Sequence, residues 1–591
     1  MYKKVISGKP YWYLRQMARV DGKPKMVSER YLGTAADIEK LLDASEAQLL
    51  PERTRHLGFG DSAGVWEILD RLDVAGIIDD VVGPRCTDAG ASVGTYLGLA
   101  ALNRVVAPTL KSGFADWWAT TALDRFTKIP SSALDHRRFW DAMHQVTMGQ
   151  LAQIEERIAL AMIHKFGLDI SALALDMTDF ATYIDSGNEK APIAQRGKAK
   201  QKRTDLRLIG LGLVVTRDDG VPLVAHAYPG NKPDVTQFPA MIDQLSARHK
   251  KIAEKAGTPG STPGDPEVTV VFDAGRNSAG NFAHVTDNGL AFVGSIPPSH
   301  VADLLQLPVT GRRVVDKDRF GGLTALETRR IVYGAERRVI LIHSPTLHQA
   351  QAAGFAQTLA RAQGKLADLA DTLARGETRR STAAVNVQIA EITRDPWLGR
   401  VLKCELTGST PATHRLTVTI DESARDALEM EVFGKRILVT THDGWPVADV
   451  VAAYRSQSDA EFSFRQLKDP HVVSFSPMHH WTEHTIRVHT FTCVLALQIV
   501  HLMRREAEHA GLHLSVRDLL DQLAGIQETV LIYPSTGGRP KTRRMLTETT
   551  LTQDQLTTIF NLTRWAPKGS QVIHSQPPKT TSDQQEHQSH T

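Results

Sequence analysis

Cysteine is nearly absent: 591 residues carry only Cys86, Cys404 and Cys493, widely separated and without a CxxC pair. That excludes a disulfide framework and a thiolate zinc site, and it fits a reducing compartment. Long apolar runs are missing too; the best, Phe491 to Met503, is interrupted by Thr492, Gln498 and His501 and is too short to span a bilayer. The N-terminus MYKKVISGKPYWYL has no continuous apolar signal core. No GxxxxGK[ST] loop occurs, so no ATP is expected to be needed. The expectation from these absences is a cytoplasmic protein with no membrane partner.

What is present is the composition of a soluble globular chain, with 42% apolar and 23% charged residues and a mean hydropathy of -0.23. Its length exceeds what one hydrophobic core supports. A net charge of +3 is only a weak sign of an anionic partner, so the distribution of charge matters more. Residues 1–34 place eight bases against Asp21 and Glu29, interleaved with Tyr11, Trp12 and Tyr13, around a turn at Asp21-Gly22. This predicts a small antiparallel sheet suited to nucleic acid; a solvated hairpin with an aromatic side is the competing reading.

Residues 35–166 have helical apolar spacing, divided by Pro108, Pro130 and Lys111-Ser112-Gly113, with Trp117, Trp118 and Trp140 expected to pack between helices. This region is expected to be a bundle and a candidate for gripping DNA. Residues 167–282 then read as three strands, a helix and a fourth strand. Residues 283–445 are expected to form an inserted domain, and 446–565 to return to the core and end in helices. The Pro-, Gln-, Ser- and His-rich residues 566–591 read as a disordered tail.

The first and fourth strands of the 167–282 region end at Asp176 and Asp273, where open α/β sheets place their chemistry. Glu461 lies 188 residues after Asp273, on a predicted helix from Val450 to Lys468. Tyr454, Gln457, Glu461, Arg465 and Lys468 fall close to one face of it, and Val451, Ala452, Ala460, Phe462 and Leu467 on the other. Three such acids can converge on two Mg²⁺ ions roughly 3.5–4 Å apart, the arrangement used in phosphodiester chemistry, with Mn²⁺ able to substitute. A basic loop bearing Arg196, Lys198, Lys200, Lys202 and Arg203 would draw an anionic substrate towards Asp176. Each acid also has a plain structural reading: a turn cap at Asp176, a turn start at Asp273, a surface charge at Glu461. The pairs Arg312-Arg313, Arg329-Arg330, Arg337-Arg338 and Arg379-Arg380 are further candidate DNA contacts, or solvated faces.

The stretches ALDMTDF, HAYPGNKPDVTQF, VTVVFDAGRNSAGNF, FVGSIPPS and YRSQSDAEFSFRQLKDP together resemble the transposases of bacterial insertion sequences of the IS4 superfamily, most closely its IS1634-type branch. The resemblance covers most of residues 1–560. It implies an α/β, RNase H-like (retroviral-integrase-like) catalytic core and a DDE triad at Asp176, Asp273 and Glu461. It also implies a largely β insertion before the glutamate and cut-and-paste movement of the parent element. The superfamily pattern around the glutamate is matched at Tyr454, Glu461 and Lys468, but Gln457 holds the arginine slot. Gln457 can hydrogen-bond a phosphate without bringing a charge, so that role passes to Arg465 or Arg455, while Lys468 and Tyr454 would meet the DNA. The insertion reads as more helical than the family pattern.

His479, His480, His484 and His489 cluster after the glutamate helix; phosphate contacts or helix capping suit them better than zinc, given the missing cysteines. The leading expectation is a transposase that binds terminal inverted repeats and target DNA as a homodimer, and cleaves and joins strands. A structure-specific nuclease without strand transfer, and a catalytically inactive DNA-binding derivative, are the alternatives.

Overall fold

The structure, a computed structural model, describes residues 1–20, 23–84, 90–197, 205–217, 219–256, 268–306, 311–376, 379–534 and 539–568. It forms two compact units, one of Met1–Gln145 with Leu502–Thr591, the other Val146–His501.

The first unit opens with a three-stranded antiparallel sheet, β1 (Tyr2–Ile6), β2 (Lys9–Val20) and β3 (Lys23–Gly33). Ser7 and Gly8 join β1 to β2 with φ of 48° and 81°, the left-handed pair a two-residue hairpin turn needs. The 21–22 turn lies outside the described residues. β1 and β3 are exposed along nearly their whole length, and Tyr2 and Tyr31 flank Tyr13 with ring centroids 5.4 and 5.2 Å from it. Thr34 and Asp37 close a capping box that starts α1 (Ala35–Leu49).

A strand absent from the sequence reading follows, β4 (Arg53–Gly58), and then the expected helices: α2 (Gly60–Leu72), α3 (Val74–Val82), α4 (Val93–Val106), α5 (Phe114–Trp118), α6 (Leu123–Thr127) and α7 (His136–Gln145). Trp118 packs inside as expected, whereas Trp140 is 44% exposed against His136.

The second unit begins with α8 (Met148–Phe166), β5 (Ala172–Thr182), β6 (Arg207–Thr216), β7 (Pro222–Pro229), α9 (Asp234–Ala256), β8 (Thr269–Phe272), α10 (Ala279–Asp287) and β9 (Ala291–Ile296). It continues through α11 (Ala302–Leu305), β10 (Arg313–Val314), β11 (Thr324–Val332), β12 (Ala335–His343), α12 (Pro345–Ala374), α13 (Thr382–Ile392) and α14 (Pro396–Val401). A hairpin of β13 (Leu402–Thr407) and β14 (Arg415–Ile420), then α15 (Glu422–Val432), β15 (Lys435–Thr440), α16 (Val447–Arg455) and α17 (Gln457–Lys468), lead to α18 (Glu483–His509).

Nine strands form one mixed sheet in the order β10-β11-β12-β15-β9-β8-β5-β6-β7. β5, β6 and β7 are an antiparallel meander, while β8 pairs parallel with β5 and β9 parallel with β8. Every residue of β6, β8 and β9 is buried, as in a sheet covered on both faces. Residues 283–445 are therefore not a separate insertion: β9 to β12 and β15 lengthen the main sheet through the β12–β15 and β15–β9 pairings. Only α12 to α15 with the β13–β14 hairpin carry their own core, including Leu359, Leu366, Leu373, Val385 and Phe433, and this part is mostly helical.

By length and composition α18 could cross a membrane, yet 94% of its apolar window is buried, as in a core helix. Its last turns belong to the first unit, so the second part of the core ends at His501 and does not extend to residue 565. There α19 (Val516–Ala524), β16 (Gln527–Ile532), β17 (Thr542–Leu546) and α20 (Leu551–Ile559) complete the first unit, and β16 lies between β17 and β4. Glu528 on β16 is fully buried and held by Arg125 and Arg544.

Gly210 in β6 faces Tyr228 in β7, and a Cβ there would collide with the tyrosine ring. Gly210→Ala is expected to cost about 1–3 kcal/mol, read as a lower urea midpoint. Gly98→Ala in α4 meets nothing within 4 Å and should stabilise by roughly 0.5–1 kcal/mol.

Candidate active site

Alternation along β5 sends Ala174, Asp176, Thr178 and Phe180 to one face and Leu175 and Met177 to the other. β5 and β8 are parallel neighbours with Ala172 opposite Thr269, Leu173 opposite Val270 and Ala174 opposite Val271. Two residues further on, the same register sets Asp176 level with Asp273, which directly follows β8 and starts a 3-10 turn over Ala274–Arg276. Neighbouring strands are about 4.8 Å apart, so the sheet itself brings the two aspartates together.

Asp273 is exposed, and its Oδ1 accepts from the Ser295 hydroxyl on β9 at 2.7 Å and from the Tyr454 hydroxyl on α16 at 3.2 Å. Although the residue as a whole is exposed, the protein packed around its carboxyl group pushes the pKa up by desolvation, but Ser295, the Ala274 N–H, Tyr454 and the charge of Arg276 outweigh that and hold the carboxyl below its ordinary value. The Tyr454 phenol is pushed up, chiefly by burial. Asp176 is 15% exposed and accepts from Arg276, whose guanidinium also lies 4.0 Å from Asp234 at the start of α9. Tyr228 donates to the other Asp234 oxygen at 2.8 Å.

The predicted helix from Val450 to Lys468 is two helices that meet at Ser456. Its expected polar stripe is split: Glu461, Arg465 and Lys468 are exposed, while the first two members, Tyr454 and Gln457, are turned inward. Tyr454, Gln457 and Phe464 are 6%, 7% and 4% exposed. The Gln457 amide donates to the Leu175 carbonyl at 3.0 Å, one residue before Asp176. Lys468 donates to the Thr178 hydroxyl at 2.7 Å, with its ammonium 5.4 Å above the Phe180 ring.

Two anchors thus fasten α17 along β5 on the Asp176 face. Glu461 lies one turn after Gln457 and two turns before Lys468, on the row the anchors define, and is exposed. Tyr454 and Gln457 were expected to meet DNA; they are instead engaged inside the fold, because their polar atoms satisfy Asp273 and a β5 carbonyl. Arg465 is exposed beside Phe462.

Among the described residues, no three His, Cys, Asp or Glu side chains lie close enough together to hold a metal ion. Arg276 occupies an oxygen of Asp176. The pair nevertheless suits a divalent cation: two carboxylates stand level on neighbouring chain segments, Asp176 within β5 and Asp273 just past β8, and one already binds a buried cationic group. Carboxylate oxygens are the donors Mg²⁺ takes.

Of the basic loop, Arg196 is described and exposed, whereas Lys198, Lys200, Lys202 and Arg203 lie outside the described residues. Among the arginine pairs, Arg337 and Arg338 are buried: Arg337 donates to the Val332 carbonyl, and Arg338 pairs with Glu327 at 2.6 Å. His484 and His489 are turned to the carbonyls of Val146 and Phe475, as neither a zinc site nor a phosphate contact requires. Sequence reasoning missed Arg276, Asp234 and Ser295, although all three sit within the stretches DAGRN, NKPD and FVGS.

No model of a known protein family matches the chain, and no curated protein does. Among solved structures, the chain is similar to the cryo-EM structure of a piggyBac transposase synaptic complex with hairpin DNA. That likeness has 8% identity and a TM-score of 0.34 and covers 91% of each chain. It is too distant to bear on the site, which rests on its own residues.

Tyr454→Phe removes one donor from ionised Asp273 and is expected to cost roughly 0.5–1.5 kcal/mol at pH 7. Because the folded carboxyl titrates below its ordinary value, its stabilisation is present above about pH 4 and lost as the pH falls through the lower folded value. The gap between variant and parent, measured by urea unfolding, should therefore close as the pH is lowered through that range.

Proposed function

We propose that the chain is a DNA transposase with an RNase H-like core, of the IS4 superfamily and its IS1634-type branch. One observation carries the reading: the β5–β8 register that sets Asp176 level with Asp273, on the sheet face to which the helix of Glu461 is fastened. The core is the five-strand frame β7-β6-β5-β8-β9, with Asp176, Asp273 and Glu461 as its acids. Mg²⁺, or Mn²⁺ in its place, would supply Lewis acidity to the phosphodiester oxygens when held by these carboxylates.

The chain's own residues prepare that site. Ser295 and Tyr454 keep Asp273 ionised and oriented, while Gln457 and Lys468 fix the height of α17 above β5. DNA is gripped by the exposed Arg465, one turn after Glu461, and by the exposed Arg196 with the basic residues Lys198, Lys200, Lys202 and Arg203 that follow it in the sequence. The exposed, base-rich sheet β1–β3 of the first unit offers a second grip. The reaction is strand cleavage at each inverted repeat, then attack of the freed 3′-hydroxyl on target DNA. Two ends need two copies, hence a homodimer working on DNA in the cytoplasm.

Gln457 spends its amide on Leu175, so the slot expected to hold an arginine brings no charge to the DNA. This favours, as a second reading, a nuclease on the same site without strand transfer. With DNA carrying the flanking inverted repeats, Asp176→Asn, Asp273→Asn and Glu461→Gln are each expected to slow Mg²⁺-dependent cleavage on the order of 10³-fold, about 4 kcal/mol in barrier. Cleavage at the parental rate by the variants would overturn the reading. Joined products from the parent separate transposase from nuclease.

A further inference from the structure

The guanidinium of Arg276 lies between two carboxylates. Its Nη2 bonds Asp176 and lies 4.0 Å from Asp234, its side chain is 6% exposed, and its Nε is buried with no hydrogen-bond partner. The backbone around it is fixed. Asn281 donates from one amide to the carbonyls of Arg276 at 2.8 Å and Val235 at 3.1 Å, tying the turn after Asp273 to the start of α9. Asp234 is held from its far side by Tyr228. Asp234 is thus a prepared second acceptor, presently beyond hydrogen-bonding range of Nη2.

Arginine stays charged at all working pH values, and a buried charge needs a carboxylate partner. Asp176 and Asp273, level on adjacent strands, would repel each other without a nearby positive charge. Arg276 supplies that charge. A divalent cation arriving at the same two carboxylates competes with the guanidinium for Asp176 and repels it.

Resting on the metal-dependent site proposed above, we propose that Arg276 is a positioning residue that acts as a resident counter-cation. It keeps Asp176 in place while no divalent cation is bound, and transfers to Asp234 when one binds. Asp176 is thereby released to the incoming ion without leaving a buried guanidinium unpaired. Metal affinity is set by the competition between Asp176 and Asp234 for one arginine.

The test is calorimetric titration of Mn²⁺ into the full-length protein, without DNA. Arg276→Gln removes the competitor and is expected to tighten Mn²⁺ binding about tenfold, the equivalent of 1.4 kcal/mol. Asp234→Asn removes the second acceptor and should weaken it severalfold, while Arg276→Lys, which keeps the charge, should stay nearer the parent than Arg276→Gln. A purely structural arginine would lower thermal stability and leave Mn²⁺ affinity unchanged in all three, which would overturn the proposal.

Asp273→Asn separates the two levels. If it leaves Mn²⁺ binding intact, the metal site itself is misplaced; if it abolishes binding while Arg276→Gln binds as the parent does, only the counter-cation role fails. Should Arg276→Gln not fold, Asp234→Asn decides: weaker binding supports the transfer, and parental binding overturns it.

Discussion

The parallel pairing of β5 with β8 is the constraint on which the rest of the site depends. It places two carboxylates side by side, one within β5 and one just past the end of β8, and like charges at that spacing raise one another's pKa unless other groups intervene. The residues around them answer this demand. Ser295 reaches Asp273 from the next parallel strand, Tyr454 reaches it from α16, and Arg276 neutralises Asp176 from the turn that follows Asp273. Each neighbour arrives from a different element, so the site is a product of the sheet order and of no single motif.

The second dependence is the fastening of α17. A helix carrying an exposed glutamate is a weak basis for a precise site unless its height and rotation are fixed. Gln457 and Lys468, nearly three turns apart, bind β5 on either side of Asp176 and fix both. As a consequence neither the Gln457 amide nor the Tyr454 hydroxyl faces outward. Arg465 and Arg196, by contrast, are exposed cations.

Much of the central frame was legible in the sequence. The apolar runs of β5 to β8 and the long amphipathic α9 have clear periods, and Asp176 and Asp273 stood out as acids expected to end such runs; Asp273 does follow the end of β8, whereas β5 continues past Asp176 to Thr182 because Met177 and Thr178 keep pairing with β6. Long-range pairing was not legible. Nothing in residues 53–58 announces a partner near residue 530, and β11, β12 and β15 read as parts of an insertion because their place in the main sheet depends on pairings across a hundred residues. The break at Ser456 was hidden because the residues on both sides have good helical spacing. Arg276 and Asp234 were not legible as a pair, since an arginine set between one acid on β5 and another at the start of α9 leaves no local pattern.

The most direct measurement is anomalous diffraction from crystals grown with Mn²⁺. The expected result is a manganese peak bonded to carboxylate oxygens of both Asp176 and Asp273, with Glu461 turned towards it and Arg276 moved to Asp234. Manganese bound elsewhere, with Arg276 still on Asp176 and Glu461 directed to solvent, would contradict it.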